Sequence, residues 1–338
     1  MNRIASIDYT KGFAIIMLLL SHCITENGYL KTWIFAWHMP IFFVICGILN
    51  TIRYPNGITF NKFSSWFKRR IKQIFIPYFV FGSLYIFFLG GLSFISGEKP
   101  IIAEKFVSLL SMNGIVSMWF LPVFFFSELL YVFFIAKTSK IIQYLFILSI
   151  ILLLLHIQSN GQIITNRPLQ LIIKVFSSIE FILIGHVIWI LIQKLSSPPP
   201  NILLTIILLI ASLIALYNGF VSIGSLTFGN VVIFYLAASA LSYTIITLFY
   251  KLDKHTDLKI LNFLKLCGSN SIVILVTNNL LIEIFRLIEY KYLSCFFLNN
   301  GLLGSLLMTI ILIIPEYALI RCAQGKIGII FGKVINKT

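Results

Sequence analysis

The sequence predicts an all-α protein, a polytopic integral membrane helix bundle with about ten transmembrane helices. Apolar residues make up 59% of the 338-residue chain, charged residues make up only 11%, and the mean hydropathy is +0.98. A soluble globular domain has a very different composition, so water is not the main solvent of this chain. Apolar runs recur along the whole length and leave no soluble stretch longer than a loop. We therefore expect one membrane-embedded domain over residues 1–338.

The apolar segments have the length that a membrane span requires, which is about 20 residues at 1.5 Å each. We interpret the first segment as a retained helix and not as a signal peptide, because His22 precedes Cys23 where a cleavage box needs a small residue. The segment near 141–157 is short, which leaves totals of roughly nine or eleven spans open. The predicted spans are 9–25, 34–52, 71–93, 116–136, 141–157, 174–194, 202–220, 229–250, 269–288 and 302–322.

The basic residues predict the orientation of these spans. A net charge of +15 would suggest nucleic acid as the partner of a soluble protein, but here Lys and Arg lie in short loops between apolar runs. Most of them fall at the two termini and in the alternate loops on the same side. By the positive-inside rule both termini are cytoplasmic, which also favours an even number of spans. We expect the lipid bilayer as a partner, and no nucleic acid.

Polar residues on the first predicted helix lie where lipid disfavours them. Asp8, Lys11 and His22 share one face, because at 100° per residue Lys11 and His22 differ in direction by about 20°, and Asp8 and His22 by about 40°. A charged group at mid-bilayer costs about 2.5–3.5 kcal/mol unless it faces the bundle interior. Asp8 and Lys11 alone are equally well explained as interfacial residues that pair with lipid headgroups.

Two histidines make a stronger case for a polar pocket. His22 ends an apolar run, and after a short hairpin His38 follows in Trp37-His38-Met39-Pro40, which we expect to open the second helix. The hairpin would place both histidines at similar depth near the outer boundary. A single histidine would more simply be a structural hydrogen-bonding residue, but two at matched depth suggest a pocket where a neutral imidazole accepts a proton near pH 7.

A basic cluster, Lys68-Arg69-Arg70-Ile71-Lys72, precedes the third span. Positive-inside anchoring explains much of it without a ligand. Neighbouring arginines are also suited to phosphate recognition, and a nucleotide-like acyl donor carries several phosphates. The five cysteines lack CxxC spacing, so we expect neither a metal site nor a disulfide framework.

Four short motifs follow one another over roughly residues 6–131. They are Ile7-Asp8-Tyr9-Thr10-Lys11-Gly12 with Ser21-His22, the stretch 35–47 around Trp37-His38-Met39-Pro40, Arg69-Arg70 through Ile76-Pro77-Tyr78, and Met118-Trp119-Phe120-Leu121-Pro122 with Glu128. In this order and spacing they resemble the acyltransferase 3 family of membrane O-acyltransferases, which includes fucose 4-O-acetylase-like proteins. A later segment, Cys267-Gly268-Ser269-Asn270-Ser271, is similar to a further helix start of that family.

The chain departs from the family pattern at three places. Ser21 replaces the usual Gly before the histidine, and Cys46 replaces the usual Ser before Gly47. Thr277-Asn278 stands where many members carry a further histidine. The last departure puts a C-terminal histidine in doubt and leaves the N-terminal motifs intact.

The resemblance implies transfer of an acyl group, usually acetyl from acetyl-CoA, to a hydroxyl of a cell-surface polysaccharide or its lipid-linked saccharide precursor. It implies a multi-pass protein of the bacterial cytoplasmic (inner) membrane that uses no metal. His22 would be the general base, and His38 would orient it or stabilise developing charge.

The remaining motif residues receive supporting roles from the same resemblance. Asp8 would assist the catalytic histidines at the inner mouth of the pocket, and Lys11, Arg69 and Arg70 would hold the acetyl-CoA donor. Trp119 and Glu128 would line the substrate site, although a core aromatic beside Pro122 describes Trp119 equally well.

Two other classes of protein share the polytopic, basic-inside pattern. A transporter or flippase for lipid-linked sugars would alternate between two accesses and do no chemistry. A membrane scaffold would be unaffected by the loss of His22.

Overall fold

The computed structural model describes residues 4–26, 28–55, 57–96, 102–133, 135–159, 165–194, 198–253 and 258–333. Helices form nearly all the regular structure in these ranges, and the β-pairing described within them is an isolated antiparallel bridge between Ser222 and Thr227. The predicted all-α class is confirmed.

Fourteen α-helices are described, with three short 3₁₀ helices at Val116–Trp119, Ile135–Lys137 and Lys326–Phe331. In chain order they are α1 Ala5–Cys23, α2 Tyr29–Trp37, α3 Pro40–Arg53, α4 Phe60–Ser96, α5 Ile102–Leu110, α6 Phe120–Phe133, α7 Lys140–Ser159, α8 Arg167–Lys194, α9 Asn201–Tyr217, α10 Val231–Leu252, α11 Lys259–Ser269, α12 Ser271–Tyr292, α13 Phe296–Asn299 and α14 Gly301–Cys322.

Seven helical segments of the described chain are long and apolar enough to cross a membrane, which confirms a multi-pass membrane protein. Each of the seven overlaps a predicted span, and the shorter apolar helices Ile141–Leu155 and Asn201–Tyr217 overlap two more. The first predicted span falls on α1, whose 19 residues include Asp8, Lys11 and His22 and which is not among the seven. The total of ten stays a prediction. The seven are Tyr29–Arg53, Phe60–Ile95, Val116–Phe133, Arg167–Lys194, Val231–Leu252, Ser271–Tyr292 and Gly301–Cys322.

The chain forms two compact units. The first, here called unit 1, comprises Met1–Ile58, Ser127–Ile163 and Ile173–Ser271, and unit 2 comprises Thr59–Phe126, Ile164–Ile172 and Ile272–Thr338. The prediction of one domain over residues 1–338 stays a prediction.

In unit 1, α1 and α11 cross with their backbones in contact. A Cβ atom added to Gly12 would overlap the carbonyl oxygen of Leu264, and one added to Gly268 would overlap the carbonyl oxygen of Asp8. Small residues allow such close approach between membrane helices, whose association is stabilised by van der Waals packing because lipid offers no hydrophobic driving force. The glycines of the first and last family-like motifs therefore meet at one helix crossing.

A second crossing of the same kind joins α3 and α8. A Cβ atom at Gly47 would overlap the carbonyl oxygen of Ile182, and one at Gly185 would overlap that of Val44. Gly47, the last residue of the second motif, thus has a packing role.

The second span is not one continuous helix. α2 ends at Trp37 and α3 begins at Pro40. Proline lacks a backbone N–H and has a fixed φ that suits a first helical position, so a new helix starts there. The expectation that Trp37-His38-Met39-Pro40 opens the second helix is wrong, because the apolar residues from Tyr29 onward already form a helix. His38 lies at a break inside the span Tyr29–Arg53.

Unit 2 is organised around α4, a helix of 37 residues that contains Pro77. The hydroxyl of Tyr78, which is fully buried, donates a hydrogen bond to the carbonyl oxygen of Leu109 over 2.8 Å. Little more than a turn away on the same helix, Gln73 is contacted through its backbone by Gly332, which adopts a positive φ of 73°. α4 is thereby held against α5 and the C-terminal 3₁₀ turn.

The α3–α8 crossing predicts that Gly47→Ala destabilises the protein. The added methyl group would overlap backbone atoms that cannot rotate away, and such overpacking typically costs about 1–3 kcal/mol. Thermal unfolding of the purified protein in mild detergent would show a lower Tm. Gly91→Ala is the matched control, because nothing lies within 4 Å of a Cβ at Gly91. Equal melting of both variants and the wild type would refute the close crossing.

Candidate active site

Asp8 and Lys11 form an ion pair on the first turns of α1. Lys11 Nζ lies 2.8 Å from Asp8 Oδ1, and the Asp8 side chain is 4% exposed while that of Lys11 is 22% exposed. A carboxylate this buried needs a compensating partner, and Lys11 supplies it from the next turn of the same helix. The two residues pair with each other, so pairing with lipid headgroups alone does not account for them.

His22 and His38 are brought together in unit 1, as the hairpin predicted. His22, in the last turn of α1, is half-buried, and His38 is 2% exposed. The two imidazoles lie close enough to interact electrostatically. The structure places the two histidines near each other, with His38 at a helix break and not at a helix start, and their catalytic pairing stays a prediction.

The backbone fixes the tautomer of His38. Its Nδ1 lies 2.7 Å from the carbonyl oxygen of Ile34, and a carbonyl oxygen only accepts hydrogen bonds. Nδ1 must therefore carry the proton and donate it, which leaves the lone pair of the neutral ring on Nε2. The ring is also held in place by Phe35, which packs edge-on with 5.0 Å between ring centroids.

Glu128 belongs to unit 1 and is 1% exposed. Its Oε1 accepts a hydrogen bond from Asn50 Nδ2 over 3.3 Å, and Asn50 Nδ2 also lies 3.2 Å from Cys46 Sγ. The sequence motifs do not identify Asn50 as a partner of Glu128, since the two residues are 78 positions apart. Glu128 is thus tied to α3, the helix that begins two residues after His38.

Further buried polar residues of unit 1 were missed by sequence reasoning. Lys174 and Glu180 on α8 are 5% and 1% exposed, and neither carboxylate oxygen of Glu180 has a hydrogen-bond partner within the described protein. The hydroxyl of Tyr235 donates to the Ser177 carbonyl oxygen over 2.9 Å, and Tyr235 interacts electrostatically with Glu180. In the sequence, Lys174 and Glu180 are marked only by being charged residues inside an apolar run.

His186 of α8 has a hydrogen-bonding partner on α3. Its Nδ1 lies 2.9 Å from Thr51 Oγ1, and Thr51 Oγ1 donates to the Gly47 carbonyl oxygen over 2.8 Å. The hydroxyl proton of Thr51 is engaged by Gly47, so Nδ1 of His186 donates to the hydroxyl. This bond reinforces the glycine crossing of α3 and α8.

Arg69 and Arg70 lie on α4 in unit 2. Arg69 is exposed and Arg70 is half-buried, and Arg70 donates to Gln73 Oε1 over 3.2 Å. Guanidinium groups so placed remain accessible to an anionic ligand. Their assignment to the donor site stays a prediction.

Trp119, also in unit 2, ends the 3₁₀ helix Val116–Trp119 and is half-buried. The loop before it is strained, because Val116 has a φ of 49°, a value that is an outlier for a β-branched residue. Ser117 Oγ holds the loop by donating to the Leu275 carbonyl oxygen over 3.2 Å, and Asn279 Nδ2 donates to Ser117 Oγ. Strain of this kind clusters at functional sites, which favours a binding role for Trp119.

Comparison with known families decides the class of the protein. A family model described as an acyltransferase domain, that of the acyltransferase 3 family, matches residues 4–321. The chain belongs to this family. No curated protein and no solved structure gives a significant match. The family match extends well past the motif-bearing residues 6–131, so the C-terminal helices belong to the acyltransferase domain as well, and membership supports membrane acyltransferase activity in general.

Because Asp8 and Lys11 form an ion pair, we expect substitutions at the two positions to have non-additive effects on stability. Lys11→Met leaves the buried carboxylate without this ion pair and should lower the Tm more than Asp8→Asn/Lys11→Met, in which the carboxylate is neutralised too. We expect a coupling of about 0.5–3 kcal/mol between the two sites. Thermal unfolding of the two single variants and the double variant measures it. Strictly additive losses would show that the pair does not stabilise the first turns of α1.

Proposed function

We propose that the protein is a membrane O-acetyltransferase that moves the acetyl group of acetyl-CoA to a hydroxyl of a cell-surface polysaccharide or its lipid-linked precursor. Membership of the acyltransferase family supports acyl transfer. The single observation that carries the finer proposal is the pairing of His22 with His38, whose protonation pattern is fixed by the Ile34 carbonyl oxygen. A sugar hydroxyl is a poor nucleophile at neutral pH and needs such a base.

The reaction balances with one imidazole. The hydroxyl oxygen attacks the thioester carbonyl carbon while His22 takes the hydroxyl proton, so a C–O bond forms. The C–S bond then breaks, and the departing CoA thiolate takes the proton back from the His22 imidazolium. Removal of the proton by a positioned base typically accelerates such a step about 10²–10⁴-fold.

His38 supports the base in this scheme. With its Nδ1–H held by Ile34, its Nε2 is an acceptor that can orient an N–H of His22 and stabilise the imidazolium that forms during attack. The two rings thereby take different roles, His22 as the proton carrier and His38 as its fixed partner.

Donor binding involves the basic residues. The diphosphate and the 3′-phosphate of acetyl-CoA are anions that guanidinium groups bind with charge-assisted hydrogen bonds. Arg69 and Arg70 are accessible for this role, and Lys11, held by Asp8, would act at the inner mouth of the pocket. Asp8 then fixes the direction of the Lys11 ammonium and takes no proton itself.

Acceptor binding involves Trp119 and Glu128. An indole ring offers an apolar face to a sugar ring, and the strained loop before Trp119 holds it in place. Glu128 keeps one oxygen on Asn50, which positions its carboxyl group close to the C-terminal end of α3. These assignments belong to the proposal. The proposal also places the protein in the bacterial cytoplasmic membrane with both termini cytoplasmic.

His22→Ala should abolish acetyl transfer, with a loss of about 10²–10⁴-fold in turnover. The measurement uses purified wild type and variant in liposomes with labelled acetyl-CoA and a saccharide acceptor, compared at equal protein level. His186→Gln is the matched control, since that histidine is bonded to Thr51 outside the pair, and it should retain turnover within a few-fold of wild type. Wild-type turnover in His22→Ala would remove the base from the mechanism.

Two substitutions of His38 separate its chemical role from its anchoring role. Asn places its amide nitrogen near the position of Nδ1 and keeps the bond to Ile34, whereas Gln places its amide near the position of Nε2. If the acceptor at Nε2 matters, His38→Gln retains more activity than His38→Asn at equal Tm.

The assay also separates the enzyme from the flippase. Sugar that the wild type retains without acetylation would favour the flippase.

Arg69→Ala and Arg70→Ala should each raise the KM for acetyl-CoA about 10–100-fold with little change in kcat, because a lost hydrogen bond to a charged group costs about 1.5–3 kcal/mol. Steady-state kinetics with varied acetyl-CoA at fixed acceptor measure the effect. Lys62→Ala, an exposed cation on the same helix, serves as the control. An unchanged KM in both arginine variants would place the donor phosphates elsewhere.

A further inference from the structure

A groove of about 510 Å³ runs along unit 1, apart from the two histidines. Its lining includes an aromatic wall, which we define as Phe13 of α1 and Trp33 of α2, together with the aliphatic residues Leu208 of α9 and Leu248 of α10. The lining is apolar along most of its length. One end differs, because Asn201 and Lys251 lie there.

The aromatic wall of the groove is held rigidly. The ring of Phe13 stacks on Trp37 with 5.5 Å between centroids and packs against Phe249 at 5.8 Å. Trp33 Nε1 donates to Ser212 Oγ over 2.9 Å, so the polar atom of this indole is satisfied by α9. A preformed apolar wall of this kind suits a flexible apolar ligand, since little protein order has to be gained on binding.

The polar end carries a positive charge in a fixed position. Lys251 Nζ donates to the Pro199 carbonyl oxygen over 2.9 Å and to Asn201 Oδ1. Both acceptors are neutral, so these bonds orient the ammonium group without neutralising its charge. Lys251 lies in the last turn of α10, a membrane span, which is where lipid headgroups meet a transmembrane helix.

We propose that this groove is a binding site for an anionic phospholipid, with an acyl chain along the apolar walls and the phosphate at Lys251. Charge complementarity selects the occupant, because an apolar groove that ends in one fixed cation matches an apolar chain that ends in one anion. Basic pockets between transmembrane helices bind anionic headgroups by the same physics. The bilayer around the spans supplies such a ligand directly.

A lipid in this groove would connect two pairs of helices. It would touch α1, which carries His22, and α2, which is followed directly by His38. It would also touch α9 and α10. Its binding free energy would add to the stability of unit 1 in proportion to ligand occupancy. The site does not depend on acetyl transfer and can be tested without it.

Native mass spectrometry of the full-length protein, released from vesicles of phosphatidylglycerol or of phosphatidylcholine, tests the proposal. Wild type should retain phosphatidylglycerol in preference to phosphatidylcholine. Lys251→Gln should reduce that preference about fivefold, the effect of one cation near an anionic headgroup. Leu248→Trp fills the groove and should reduce retention of both lipids.

Matched controls make the outcome decisive. Leu209→Trp places the same indole on an exposed position of α9 outside the groove, and Lys259→Gln removes an exposed cation of α11. Both should behave as wild type. The proposal is overturned if Leu248→Trp retains lipid as well as Leu209→Trp does, or if Lys251→Gln keeps the full preference for phosphatidylglycerol. Retention of both lipids to the same extent by wild type would overturn the role of the charge.

Discussion

Backbone contact between α1 and α11 is the constraint on which the polar end of unit 1 depends. Gly12 and Gly268 let the two helices approach until main-chain atoms touch, and no side chain larger than hydrogen fits between them. The carbonyl oxygen that Gly268 meets belongs to Asp8. The crossing therefore covers the turn that carries the Asp8–Lys11 ion pair, and the burial of Asp8 follows from packing as much as from the pair itself.

A second contact of the same type organises the region around the histidines. α3 and α8 meet at Gly47 and Gly185, and the bond from His186 to Thr51 reinforces that crossing. α3 is thereby held in place at its centre, while Pro40 separates it from α2. His38 keeps right-handed helical dihedral angles at this break, so it bonds to Ile34 one turn back and still lies close to His22.

The sequence allowed the helical class and the family to be predicted, because hydropathy and short motifs are local signals. It did not allow the helix start at Tyr29 to be predicted, since no side chain caps that start, and for this reason the position of His38 inside the span was missed. The partner of Glu128 was unpredictable for another reason. Asn50 is 78 residues away, and pairing over such a separation is set by tertiary packing.

The departure of this chain from its family at Thr277 also has a structural answer. Thr277 Oγ1 lies 2.7 Å from the Val273 carbonyl oxygen and 2.8 Å from Glu316 Oε2. A hydroxyl donates only one hydrogen bond. If that proton goes to Val273, the contact with Glu316 needs a proton from the carboxyl group. On α12 this chain places the Thr277 hydroxyl against the buried carboxyl group of Glu316 on α14, and both residues lie within unit 2.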